Sequence, residues 1–262
     1  MNIALLNGQR QEAQPNLSGE CPLCGGPTVA KCGEVRIWHW AHKGRRHCDP
    51  WKWHETDWHR NWKNQFPVDC REVVHHSEDG EKHIADVKTG NGWVIEFQHS
   101  FLPPGERRAR DAFYPKLIWV VDGTRRKKDG AQLFNAWNQG LPVGKNSPVR
   151  SVFSDNCTLL REWAGSNAPI FFDLGDGQVL WWLFAKSTDG WAYLAPYSRA
   201  EFIESHHGAA AAKARAFDEF VTDIPKLIAA YKLIAAHESP SQTQSLRRDL
   251  LQPRRFRRHF RL

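Results

Sequence analysis

The sequence predicts an α/β fold: a mixed sheet with flanking helices, preceded by a small zinc-ribbon-like module over 1–50 and followed by an α+β region over 141–238. Three observations carry this. Four of the six cysteines fall within the first 48 residues, among histidines. Residues 51–140 then read as helix, three meandering strands, helix and one apolar strand. Within that run, His83 to Ser100 reads as a hairpin with an apolar face and a carboxylate face.

Taken in order, Asn2 to Leu6 reads as a short strand followed by a polar loop. Cys21-Pro22-Leu23-Cys24-Gly25-Gly26 has the spacing of a zinc knuckle, because a tight turn aims two thiolates at one point. Val29–Lys31 and Val35–Trp38 read as a small hairpin turning at Cys32-Gly33-Glu34. His39, His42 and Cys48 follow, giving five ligands for four tetrahedral positions. Cys21, Cys24, His42 and Cys48 are favoured for a structural Zn²⁺, with His39 in reserve. Unpaired thiols and surface histidines are the alternative. In a cytosolic chain, such crowding reads as metal binding rather than a disulfide framework.

Trp51, Trp58, Trp62 and Phe66 recur at helical spacing and Pro67 stops the element. Glu55 and His59, four residues apart, share a face that Lys63 continues. His54-Glu55 with His59 is not the zinc-protease pattern, since the second histidine comes one residue too late. Six of the thirteen tryptophans lie between Trp38 and Trp62, a density that reads first as a small core. Asp69–His76 is a strand and Ser77–Glu81 a turn.

The hairpin hinges on register. The turn Thr89-Gly90-Asn91-Gly92 tolerates positive φ. A two-residue loop would set Asp86 and Glu96 on opposite faces, because side chains alternate with period two. A three-residue loop, Gly90 to Gly92, pairs Asp86 with Glu96. It also places Ala85, Val87, Trp93, Ile95 and Phe97 on one wholly apolar face, so it is preferred. Carboxylates directly opposite one another repel, and a bound Mg²⁺ or Mn²⁺ removes that objection. Asp86 and Glu96, with the Gln98 amide, are the minimum equipment for holding a divalent cation beside a phosphodiester. Glu55 could supply a third carboxylate. A solvated face with Lys88 neutralising one acid is the alternative.

Downstream, Glu106–Tyr114 is a short helix carrying Arg107, Arg108 and Arg110. Lys116–Asp122 is a nearly continuous apolar run, as in a buried central strand. Ala131–Trp137 reads as a short helix. Pro169–Asp173, Gly177–Ala185 and Gly190–Ala195 read as strands turning at Gly175-Asp176-Gly177 and Thr188-Asp189-Gly190. Ser198–Ser205 starts helical, and Gly208–His237 is an alanine-rich helix broken or kinked at Pro225.

The net charge of +7 is unevenly placed: Arg247 to Leu262 holds seven arginines and one aspartate. Attraction to polyanions is therefore expected chiefly of the basic tail, 239–262. No apolar run reaches the roughly 18 residues needed to span a membrane, and the N-terminus has no basic region of a secretory signal. A cytoplasmic location is expected.

The series C-P-L-C, H-W-A-H, Cys48, E-T-D-W-H-R-N-W-K, H-I-A-D-V, I-E-F-Q-H-S and R-D-A-F-Y, over about residues 20–123, resembles the competence protein CoiA-like family. The resemblance implies a PD-(D/E)XK nuclease core, restriction-endonuclease-like, over 51–140 behind the zinc module. Glu55 then looks like the acid of the first core helix, Asp86 the central aspartate, and Glu96 with Gln98 the following E-x-Q. Most of that superfamily has lysine where Gln98 stands. A bacterial cell and a role in DNA uptake, repair or anti-phage defence would follow.

The expectation is thus a Mg²⁺- or Mn²⁺-dependent DNA nuclease with catalytic Glu55, Asp86, Glu96 and Gln98. His59, Lys63 and Arg110 are candidates for DNA backbone contacts. Two rivals are a catalytically inactive zinc-containing DNA-binding protein and a subunit docking on a competence or defence partner or on a second copy of itself.

Overall fold

The structure, a computed structural model, describes residues 1–44, 48–51, 55–144, 147–188, 190–207 and 211–237. The basic tail lies outside the described residues, as does Asp189 of one expected turn. The described residues form two sheets and six helices. None of these helices is long and apolar enough to cross a membrane.

The N-terminal sheet has five strands: β1 (Ile3–Leu6), β2 (Gln9–Glu12), β3 (Ser18–Glu20), β4 (Pro27–Lys31) and β5 (His39–His42), in the order β2-β1-β3-β4-β5. The expected polar loop after Leu6 is in fact β2 and β3. Asn7 and Gly8 have φ of 49° and 77°, the two-residue turn whose twist matches paired strands. That Asn-Gly signal was in the sequence; the polar composition of Gln9–Glu12 concealed it. The second strand of the small hairpin is also shifted. His39–His42 pairs with β4, and Val35–Trp38 belongs to the connection. Ala4, Ala13 and Trp40 form the core of this sheet.

A short helix, α1 (Asp57–Lys63), follows. It is shorter than the expected Trp51–Pro67 element, because Thr56 caps it by accepting from the His59 amide. Trp51 is consequently not on the stripe of Trp58, Trp62 and Phe66. It stacks on His83, ring centroids 3.4 Å apart.

The second sheet contains β6 (Arg71–His76), β7 (Lys82–Lys88), β8 (Val94–Gln98), β9 (Leu117–Asp122), β10 (Leu141–Pro142), β11 (Arg150–Phe153), β12 (Ile170–Asp173), β13 (Val179–Thr188) and β14 (Trp191–Ser198). Its order is β10-β11-β14-β13-β12-β9-β8-β7-β6. Strand β9 runs parallel to both β8 and β12. Covered on both faces, it is apolar at almost every position. Leu117, Trp119 and Val121 pack with α2 (Pro104–Phe113), α3 (Asp129–Gln139) and α4 (Thr158–Trp163); Ile118 and Val120 pack with α1, α5 (Arg199–His206) and α6 (Ala211–His237). Helix α6 runs through Pro225 without a break in its helical assignment. Strands from either side of residue 140 share this one sheet. The expected separation of 51–140 from 141–238 is therefore not a break in the fold, because β12 hydrogen-bonds directly to β9.

Candidate functional site

Cys21 Sγ, Cys24 Sγ, His42 Nε2 and Cys48 Sγ all lie within 4.8 Å of one another. The knuckle is built by the chain itself: the Gly25 amide donates to Cys21 O, the Cys21 amide to Gly26 O, and the Gly26 amide faces Cys24 Sγ at 3.4 Å. Gly25 has φ 67°, which only glycine adopts freely. Strand β5 delivers His42 opposite, 3.3 Å from Cys24 Sγ and 3.5 Å from Cys48 Sγ; Cys21 and Cys48 sulfurs are 3.7 Å apart. Tetrahedral ligands on Zn²⁺, at about 2.3 Å for sulfur and about 2.0 Å for nitrogen, sit about 3.5–3.8 Å from each other. The spacing fits a Cys₃His zinc site. Burial and then the neighbouring Cys21 sulfur push the Cys48 thiol up to about 12, a crowding a cation would relieve. His39 stands apart, with its Nδ1 2.8 Å from Ile37 O. Among the described residues this is the single group of three or more His, Cys, Asp or Glu side chains placed to hold a metal.

The hairpin of β7 and β8 has the three-residue loop: the Thr89 amide bonds Trp93 O, Gly92 has φ 87°, and Lys88 pairs with Val94 and Val87 with Ile95. That register sets Asp86 opposite Glu96. The ladder stops there and the carboxylates take over. The Phe97 amide donates to Asp86 Oδ2 at 3.1 Å, and the Asp86 amide reaches Glu96 Oε1 at 3.4 Å. On the other side of β7, the β6 pairing skips Glu72 and Asp86, and Glu72 has φ 48°. This distortion changes the phase of β7. Val87, Trp93, Ile95 and Phe97 share a cluster under α1 as expected, but Ala85 packs in the opposite cluster with Tyr114 and Leu117.

Both acids are buried, and each has a basic neighbour. His59 Nε2 lies 2.8 Å from Asp86 Oδ2. Arg110 Nη1 donates to Glu96 Oε2 at 2.9 Å, while its Nη2 binds Glu106 and Trp51 O. Burial and then the Asp86 charge drive Glu96 above the ordinary carboxylate range, against the pull of Arg110. Glu55 sits before α1, not on it. Its Oε1 takes Lys63 Nζ at 2.5 Å and Asn2 Nδ2 at 2.7 Å. Burial works against its charge, but Lys63 holds it below its usual range. Lys63 is itself buried, bridging Glu55 to Glu72 Oε1 at 3.0 Å. Gln98 follows on β8 and donates to Ser100 O at 2.8 Å. The structure thus brings Asp86, Glu96, His59 and Arg110 into one bonded group. Glu55 and Lys63 form a second group with Glu72, coupled to the first through the Asp86 charge felt at Lys63.

Sequence reasoning missed four residues here. Glu72 holds the N-terminal sheet by accepting from the Asn2 and Ile3 amides at 2.7 and 3.1 Å. Asp49 accepts from the Ile84 amide at 2.9 Å. At the end of β8, His99 Nδ1 lies 2.6 Å from the buried Asp122. Asp122 and His99 each end a strand pattern already recognised, so their proximity was readable from the parallel pairing of β8 with β9. Nothing local marked Glu72 or Asp49.

Neither the curated proteins nor the solved structures include a match to this chain. Residues 9–50 match the family model described as Competence protein CoiA, N-terminal domain. That stretch contains all four members of the Cys/His cluster, and the N-terminal module of this chain is similar to the CoiA N-terminal domain.

Proposed function

We propose that the protein is a divalent-metal-dependent deoxyribonuclease of the PD-(D/E)XK type, acting in competence or a related handling of DNA by bacteria. The observation that carries it is the opposed pair Asp86 and Glu96, buried where the β7–β8 ladder ends. Two acids so placed cost stability unless a cation joins them. Asp86 and Glu96 would hold Mg²⁺ or Mn²⁺. When bound, such an ion activates water and offsets charge developing on the phosphate.

The remaining roles belong to the chain. His59 orients the Asp86 carboxylate, and Arg110 orients that of Glu96. Lys63 is kept charged by Glu72, Asp86 and Glu55 despite its burial, so it supplies fixed positive potential where Gln98 replaces the usual lysine. Gln98, anchored by Ser100, positions the nucleophile or a phosphate oxygen. The CoiA-like module supports the competence setting, and its Cys₃His cluster supports structural zinc.

A second reading is favoured by one feature: the acids already carry internal partners in His59, the Phe97 amide and Arg110. On that reading the core is inactive and the protein binds DNA without cutting it. Cleavage of single- and double-stranded DNA with Mg²⁺ and with Mn²⁺ separates the two. The nuclease reading expects metal-dependent products that disappear in Asp86→Ala and in Glu96→Ala. Binding without products under either metal selects the inactive reading.

A further inference from the structure

Asp49 follows the cluster ligand Cys48 directly and is buried. Its carboxylate reaches across to β7. Oδ2 accepts from the Ile84 amide at 2.9 Å, and Oδ1 lies 2.9 Å from His83 Nδ1 while also accepting from the Trp51 amide at 3.0 Å. His83 is fixed further by Trp51, stacked at 3.4 Å and 11°, and by Glu81 at 3.0 Å from Nε2. Ile84 itself packs with Cys21 and Leu23 of the knuckle, with Cys48 against the same cluster.

The location matters more than the number of bonds. The β7–β8 ladder ends at Val87 with Ile95. Beyond it β7 needs another acceptor for its amides, since an unpaired buried N–H is costly. Asp49 supplies that acceptor at Ile84, two residues before Asp86. It occupies the fork between β7 and β8 from the side of the zinc cluster, and its charge is felt at Glu96.

We propose that Asp49 is a positioning residue that ties the Cys21/Cys24/His42/Cys48 cluster to the Asp86–Glu96 fork, so that zinc in the first sets the spacing of the acids in the second. The part concerning the fork's divalent ion rests on the nuclease reading; the tie between cluster and strand does not. Zinc pins Cys48, Cys48 pins Asp49, and Asp49 pins β7 beside Asp86. Residues bonded directly to a metal ligand change metal affinity by roughly 10–100-fold; Asp49 acts one step further out, on the strand that carries Asp86, so the low end of that range applies.

The full-length protein, its Asp49→Ala variant and its Asp49→Asn variant carry the test. Asp49→Asn keeps one acceptor oxygen for the Ile84 amide. With zinc content matched by elemental analysis, Mn²⁺ binding is titrated and amide hydrogen exchange is followed with zinc bound and after chelation. The expected result is Mn²⁺ affinity lowered on the order of tenfold in Asp49→Ala and partly restored in Asp49→Asn. Chelation should speed exchange at residues 83–86 in the parent while β9 stays protected, and should add nothing at those amides in Asp49→Ala. Equal Mn²⁺ affinity across all three, or chelation acting alike on parent and Asp49→Ala, overturns the proposal. If chelation also deprotects β9, the zinc-bound comparison of 83–86 exchange between parent and Asp49→Ala decides instead, and no difference there overturns it. A parent that binds no Mn²⁺ counts against the nuclease reading, while the exchange comparison still decides the tie.

Discussion

Arg110 illustrates how single residues set the chemistry of the fork. Its guanidinium is buried and divides its donors among Glu96, Glu106 and Trp51 O. Removing it leaves Glu96 buried and unpaired, so Arg110→Ala should cost about 3–5 kcal/mol, read as a lower urea midpoint at neutral pH. Arg110→Lys keeps the charge but not the fork of donors and should fall between the two. A separate residue makes a pH prediction. His206 is buried between the Phe202 and Phe217 rings, with Nδ1 on Phe202 O at 2.7 Å and no partner for Nε2 among the described residues. Burial lowers its pKa from the ordinary 6.5 to about 4. The folded protein holds it neutral while the unfolded chain takes up a proton, so stability is full above about pH 6.5 and falls as pH drops toward 4. The loss from this residue reaches roughly 3 kcal/mol. Thermal melts from pH 7 to 4 should show a steeper decline for the parent than for His206→Gln. At this scale strand alternation set Asp86, Glu96 and Gln98 on one face of the hairpin, knuckle spacing paired Cys21 with Cys24, and the choice of His42 with Cys48 completed the cluster that the structure gathers. It could not show that Lys63 and Arg110 are buried ion partners, since burial of a basic side chain depends on acids brought from distant segments.

Among the elements, the β7–β8 hairpin fixes where the two acids lie. Its register follows from the three-residue loop, and that loop needs Gly92 in the left-handed region at φ 87°. A side chain there costs about 1–2 kcal/mol, so Gly92→Val should destabilise the protein, while Gly90→Ala, whose added methyl meets open space, should be nearly neutral; chemical denaturation measures both. The register was readable because only one loop length kept Val87, Ile95 and Phe97 together. The phase change at Asp86 was not, because it arises from Glu72 at φ 48° on the neighbouring strand, and R-E-V-V-H-H runs in like pairs, with no period-two pattern that a distortion would interrupt. Helix α1 was over-extended for a related reason: the tryptophan spacing from Trp51 is helical, yet the Thr56 cap begins the helix later and frees Trp51 to stack on His83.

For the whole molecule, the nine-stranded sheet makes the C-terminal strands part of the core rather than an appendage. Strand β9 lies between β8 and β12, and Phe171, Trp182 and Phe202 complete the apolar layer beneath α1. A chain cut after Gly140 would leave β9 as a long apolar edge, an aggregation template. It should be insoluble or lack the near-ultraviolet circular dichroism of the intact protein. The sequence placed β12, β13 and β14 as strands but could not join them to β9, since parallel pairing across some fifty residues leaves no local mark. The N-terminal module is tied in at Glu72 and Asp49, so its Cys/His cluster and the fork's acids belong to one connected structure. The most direct test of the fork as a metal-dependent catalytic centre is a crystal structure soaked in Mn²⁺, with the ion located by its anomalous signal. The expected result is an Mn²⁺ ion ligated by Asp86 and Glu96, with the His59 and Arg110 contacts adjusted around it. A fork that stays free of Mn²⁺ at saturating concentration, with both of those pairs intact, would contradict it.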